Sequence, residues 1–208
     1  MKRRIFLAMA PLVAGCSVLP DRPFIATRRF PLAPTRPADR PRGSGTRPAL
    51  MIRTMRAAPG LEERGLRRVR ADGTLDLAFY DEWLAPPADL AEAALREWLV
   101  ASRIFAAVAA PGSRLTTPLT LEPQLVALQA EPGLARAGMS LLLLGDRGGE
   151  TPRVIGQRRL EATAPLAADA DAAAQAAAMQ AALAQVFTEM ERWFTTSIPA
   201  GATTARRR

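Results

Sequence analysis

Pro86-Pro87-Ala88-Asp89-Leu90-Ala91-Glu92-Ala93-Ala94-Leu95-Arg96-Glu97-Trp98-Leu99-Val100-Ala101-Ser102 is the stretch on which the fold turns. Proline suits the first turn of a helix, where its missing N–H has no intrahelical partner in any case. Asp89 and Glu92 then fall at the positive end of the helix dipole. Leu90, Ala94, Leu95, Trp98 and Leu99 recur at helical spacing and make one apolar stripe. Such a helix needs a second layer to cover that stripe. The segments on either side carry strand patterns, so the layer is a sheet.

Upstream, residues 27–33 read as a short extended piece with Phe30 and Leu32 on one face. Residues 49–56 alternate Leu50 and Ile52 against Met51 and Arg53. Residues 65–70 and 74–79 form a hairpin around Asp72-Gly73, a dipeptide that predicts a type I′ turn. Downstream, residues 104–109 are short and apolar enough for a buried strand, broken by Pro111-Gly112. A strand over 118–128 is interrupted by Pro123, which implies a sheet edge or a bulge. Residues 138–144 contain Leu141-Leu142-Leu143-Leu144 and are expected to be buried on both faces. Residues 153–163 pair with them across Asp146-Arg147-Gly148-Gly149-Glu150, which reads as a hairpin loop rather than a metal or phosphate loop.

The last element is a long helix over 166–195, with Asp169 and Asp171 in its first turns. Met179, Leu183, Val186, Phe187, Met190, Trp193 and Phe194 form its apolar face, and Gln180, Gln185, Glu189 and Arg192 face away. Its alanine-rich start, 172–178, favours helix but offers little apolar surface, so it is expected to project. Strands, helix, strands and long helix together predict an α+β fold: a two-layer sandwich of a mixed β-sheet with two main helices on one face.

Composition narrows the function. The chain has 208 residues and a formal charge of +8, with no histidine, one cysteine and Lys2 as its only lysine. Without histidine there is no Ser–His or Cys–His pair and no imidazole metal site. A single cysteine excludes an intramolecular disulfide and a thiolate cluster. The adjacent acids Glu62-Glu63 and Asp81-Glu82 point apart in extended chain and do not converge on a substrate. We therefore expect no enzyme, no catalytic residue, no metal and no cofactor.

The N-terminus carries the most specific signal. Lys2, Arg3 and Arg4 precede a short apolar run that ends in Val13-Ala14-Gly15-Cys16. This resembles a bacterial lipobox, in which the cysteine takes a diacylglycerol and an N-acyl chain and becomes the new N-terminus. More than one acyl chain holds a protein firmly on a membrane, where a single chain is marginal. By the same resemblance to lipoproteins, in bacteria where Asp after the cysteine favours inner-membrane retention, Ser17 implies the outer membrane, facing the periplasm. Loss of residues 1–15 removes three positive charges and leaves 25 arginines against 20 acids. Nucleic acid is not expected as a partner of such a chain.

The division that follows is a lipoprotein signal peptide over 1–15, an anchor and Pro/Arg-rich tether with a first strand over 16–48, a folded domain over 49–197, and a flexible basic tail over 198–208. Tyr80-Asp81-Glu82-Trp83-Leu84-Ala85-Pro86-Pro87, with the helix after it, resembles the Tyr-x-x-Trp-x-x-Pro segment of the ABC-type transport auxiliary lipoproteins, the paraquat-inducible lipoprotein C-like family. Ser102-Arg103-Ile104-Phe105-Ala106-Ala107-Val108, the strand around Arg153-Val154-Ile155-Gly156-Gln157-Arg158-Arg159-Leu160 and the helix ending in Trp193 fit the same family, with Arg103 where glycine is common and Leu160 where an aromatic is common.

That resemblance implies a non-catalytic partner of an MCE-domain protein and its ABC permease and ATPase, moving phospholipid between inner and outer membrane. It leaves a homo-oligomer open. Tyr80, Trp83, Pro86 and Pro87 are then candidate partner contacts, because aromatic side chains are good interface anchors. The favoured reading of Tyr80 and Trp83 is that they seal the helix against the sheet. An alternative of another class is a lipoprotein scaffold or activator of a peptidoglycan enzyme.

Overall fold

The computed structural model describes residues 24–145 and 152–200. Cys16, the expected signal peptide, the 146–150 loop and the end of the basic tail lie outside these residues. In chain order the elements are β1 (Arg28–Phe30), β2 (Leu50–Ile52), β3 (Arg56–Ala57), β4 (Gly65–Val69), β5 (Leu75–Trp83), α1 (Pro87–Ser102), β6 (Val108–Ala109), β7 (Leu119–Glu131), β8 (Leu134–Gly145), β9 (Arg153–Pro165) and α2 (Ala172–Ser197). The fold is α+β, with one mixed sheet and the two helices packed beside each other on it.

The centre of the sheet is β7. On one side it pairs antiparallel with β8, which pairs antiparallel with β9. On the other it takes β2 and β3 in parallel along its first half, and β4 where Arg68 meets Ala130. β5 returns antiparallel along β4, and β1 lies parallel to β5. β6 flanks β2. The predicted stripe of α2 is all core: Met179, Leu183, Val186, Phe187, Met190 and Phe194 are fully buried and Trp193 nearly so. Trp98 of α1 packs edge to face on Phe187, ring centroids 5.3 Å apart, and joins the two helices.

Several expectations from sequence change. Pro123 sits in the central strand, not at an edge. The Leu121 and Leu125 carbonyls accept hydrogen bonds from Arg53 and Ala58, so the Pro123 position, in phase with them, faces the break between β2 and β3 where no donor is needed. The bulge in β7 comes later, between Leu125 and Ala127. The leucine run is buried on one face only: Leu141 and Leu143 are 0% exposed under the helices, while Leu142 and Leu144 are half-buried on the open face. That open face is held by ion pairs such as Arg136–Glu131 and Arg159–Glu161, both 2.7 Å.

β7 and β8 also run longer than expected and meet at Pro132-Gly133. Their core-facing residues there are Ala130, Ala135 and Ala137, too small to mark a strand by hydrophobicity. The hairpin at Asp72-Gly73 is not type I′, since only Gly73 has positive φ (82°). The Gly73 N–H donates to the Arg70 carbonyl and the Arg70 N–H to Thr74, a type I turn followed by a left-handed glycine. Thr74 donates to the Asp72 carboxylate from both its hydroxyl and its N–H, which holds that carboxyl below its ordinary pKa.

α2 begins at Ala172 rather than 166, because the Asp171 carboxylate caps it by accepting from the Ala174 N–H at 2.8 Å. Its alanine-rich start does not project: Gln175 and Ala176 are buried. At the other end Ile198, expected in the tail, is 4% exposed, and its carbonyl accepts from Arg47.

The largest change concerns the expected tether. From Arg28 onward the chain is packed, and residues 31–48 form an irregular strap across the helices. Leu32 is buried, and the Ala33 N–H donates to the Gln180 side chain. Arg36 and Arg40 grip Glu191 of α2 at 2.8 and 2.7 Å, and the Trp98 indole N–H donates to the same carboxylate. Glu191 occupies a core position, 4% exposed, so its charge must be paired, and among the described residues the strap supplies the cations. Proline and arginine here make a fastening instead of a spacer.

Candidate interaction surface

Strand β5 positions Tyr80 and Trp83 of the expected site residues, and it is not a regular strand. Gly65 of β4 pairs with Glu82 and Arg67 with Leu77, so residues 78–81 all lie opposite Leu66. This wide bulge re-aims the side chains it carries. It depends on Gly65, where a Cβ would sit 2.6 Å from the Ala78 carbonyl oxygen. Phe79 emerges 83% exposed and Tyr80 40% exposed, with their rings edge to face at 4.9 Å.

The four expected partner contacts therefore separate. Trp83, past the bulge, is 1% exposed and closes the core, with its N–H donating to Arg64. Pro87 is buried in the first turn of α1, whereas Pro86 precedes the helix and is exposed, its carbonyl accepting from Asp89. Tyr80 and Pro86 remain accessible to a partner; Trp83 and Pro87 do not. The fifth candidate residue by sequence, Cys16, lies outside the described residues.

Sequence reasoning missed Phe79, whose place at the end of a predicted hairpin strand gave it an ordinary in-or-out assignment. No sequence signal marks the bulge apart from Gly65. It also missed Glu191, for which a signal exists: an acid between Phe187 and Phe194 on the apolar stripe, at the spacing of the buried face.

Charge around the bulge is paired. Arg28 bonds Asp81 at 2.6 Å, Arg29 bonds Glu82 at 2.8 Å, and Arg64 reaches Glu82 at 3.2 Å. The hydrogen bond and charge of Asp81 raise the Arg28 pKa further. Beside the bulge lies an open cleft of about 610 Å³ lined by Glu62, Glu63, Gly65, Leu77, Phe79 and Glu82. It presents carboxylates with no nucleophile or base aligned on them. Among the described residues no three His, Cys, Asp or Glu side chains cluster as metal ligands, and no helix is long and apolar enough to cross a membrane.

Residues 30–191 match the sequence pattern of a family described as ABC-type transport auxiliary lipoprotein component. Among solved structures, protein XCC0632 from Xanthomonas campestris, assigned to family DUF330, shares the fold with a TM-score of 0.65 and 23% identity, over 79% of this chain and 94% of that one. An uncharacterized protein shares it at a TM-score of 0.60 and 14% identity, over 71% of this chain and 92% of that one. No curated protein matches the chain significantly.

Proposed function

Since the chain belongs to the family of ABC-type transport auxiliary lipoprotein components, we propose that it is a non-catalytic accessory of an MCE-type lipid transport system, anchored at the outer membrane. Diacylglycerol and N-acyl chains on Cys16 hold it there, facing the periplasm. Its folded body meets an MCE-domain protein served by an ABC permease and ATPase, and the pathway moves phospholipid between the two membranes. The observation that carries this reading is the family match over residues 30–191, joined to Val13-Ala14-Gly15-Cys16 upstream of it.

The composition supports a role without catalysis, because histidine is absent and the single cysteine is the one assigned to lipid. Of the surface, Tyr80 and Pro86 are open to an external contact, with Phe79 beside them. Crosslinking in cells should recover an MCE-domain protein; recovery of cell-wall synthases alone would sink the transport reading. Cys16→Ser should leave the precursor unprocessed and remove it from the outer-membrane fraction. Normal fractionation of that variant would refute the anchor.

A further inference from the structure

All three tryptophans are buried, yet Phe79 is 83% exposed and Phe24 92% exposed. Ile25 is 53% exposed. Phe24 and Ile25 precede β1, and Phe79 lies on β5, the strand that pairs with β1. β1 is parallel to β5, with Arg28 opposite Asp81 and Phe30 opposite Trp83. Followed backward from Arg28, that register leads the chain toward the Tyr80 and Phe79 end of β5. The parallel register thus directs Phe24 and Ile25 toward the side of β5 that carries the two rings. Arg28 and Arg29 stand at the same place, each on an exposed stem.

The path to the anchor is short. From Cys16 to Phe24 is eight residue steps, and at roughly 3.5 Å per step the span is at most about 28 Å, whatever its conformation. A body of this length is about 40 Å across. A chain tied to a bilayer at Cys16 therefore holds Phe24 within about 28 Å of it, less than the breadth of the body. The opposite corner of the sheet, where Val154 of β9 is 57% exposed, lies beyond β4, β7 and β8 and toward the other end of β7. Aromatic rings with nearby arginines suit the headgroup region, where the ring enters the acyl boundary and the cation meets phosphate. The arginines are already ion-paired, so ring burial dominates over charge.

We propose that Phe24, Ile25, Phe79 and Tyr80 form a membrane-contact face, seated in the headgroup region of the phospholipid leaflet that holds the anchor. The inference rests on lipidation of Cys16. It orients the body, turning the bulge to the bilayer and the β9 corner away from it.

The test uses the full lipidated chain in vesicles of phosphatidylethanolamine and phosphatidylglycerol with brominated acyl chains. Phe79→Trp, Phe24→Trp and Val154→Trp each add one surface fluorophore over the buried native tryptophans, whose emission in the unsubstituted chain is subtracted. Phe79→Trp and Phe24→Trp should be quenched at least about twofold more than Val154→Trp. Tyr80→Trp gives the same readout if the Phe79 substitution disturbs the bulge. Vesicle-bound chains in which the Phe79 and Tyr80 probes are quenched no more than Val154→Trp would overturn the proposal. A blue shift of an unquenched Phe79→Trp on adding an MCE-domain protein would overturn it in favour of a protein interface. Chains that do not float with the vesicles would remove the anchor and the proposal together, which separates the two failures.

Discussion

Replacing Glu191 by alanine probes the strap most directly. The change strips the shared acceptor from Arg36, Arg40 and the Trp98 indole N–H at once. It leaves two guanidinium groups whose side chains are only 11% and 21% exposed, and an empty volume between α1 and α2. Removing one partner from a buried ion pair costs about 3–5 kcal/mol. Here water can reach both arginines at their outer edges, which places the loss near about 3 kcal/mol. For a domain of about this size each kcal/mol moves Tm by roughly 2–4 °C, so Tm should fall by about 6–12 °C. Glu191→Gln keeps the shape and an acceptor for Trp98, and should cost about half as much.

Thermal unfolding followed by circular dichroism gives these values, with parent and variant chains compared in the same detergent. Limited proteolysis adds a local readout, because a released strap should be cut within residues 31–48 before the body. The decisive comparison is a cycle: Arg36→Ala with Arg40→Ala should cost clearly less in the Glu191→Ala background than in the parent. A Tm drop under about 2 °C, or equal arginine costs in both backgrounds, would refute the view that this carboxylate fastens the strap.

Two other perturbations follow from particular geometry. Arg103 closes α1 in the left-handed region, φ 54° and ψ 30°, with its side chain exposed, so Arg103→Gly should relieve about 1 kcal/mol and raise Tm by roughly 2–4 °C; an unchanged or lower Tm would contradict this. Glu131 has its pKa held down by hydrogen bonding from Arg136, helped by the Gln129 amide and the Arg136 charge and opposed by desolvation. A depressed folded pKa contributes stability that is complete above the unfolded carboxylate value and lost as pH falls through the folded one. The Tm gap between the parent chain and Glu131→Gln should therefore be constant near neutrality and close below about pH 4; a gap that persists to about pH 2 would dismiss the pair as a source of stability.

The backbone at Arg103 demands the conformation that glycine adopts most cheaply. The close approach of Gly43 to the Arg103 carbonyl, and the Gly45 N–H donated to that same carbonyl, hold the turn in place with arginine present.

Local pattern alone determined the order of elements, the apolar stripes of both helices and the family resemblance, because each depends on residues within one or two turns of one another. The stripe from Met179 to Phe194 was readable for that reason. What lay beyond reach was every feature set by contacts across the chain. Whether the second face of the Leu141–Leu144 run is covered depends on how many layers assemble, and Pro123 could sit in the central strand only because β2 ends beside it. Tyr80 and Trp83 are three residues apart and chemically alike, yet a bulge against Gly65 sends one outward and the other into the core. The strap was the hardest case: prolines and arginines read as a spacer until Glu191, about 150 residues away, is brought beneath them. A charge on a buried helix face announces that a partner must exist, and only the tertiary structure says which segment supplies it.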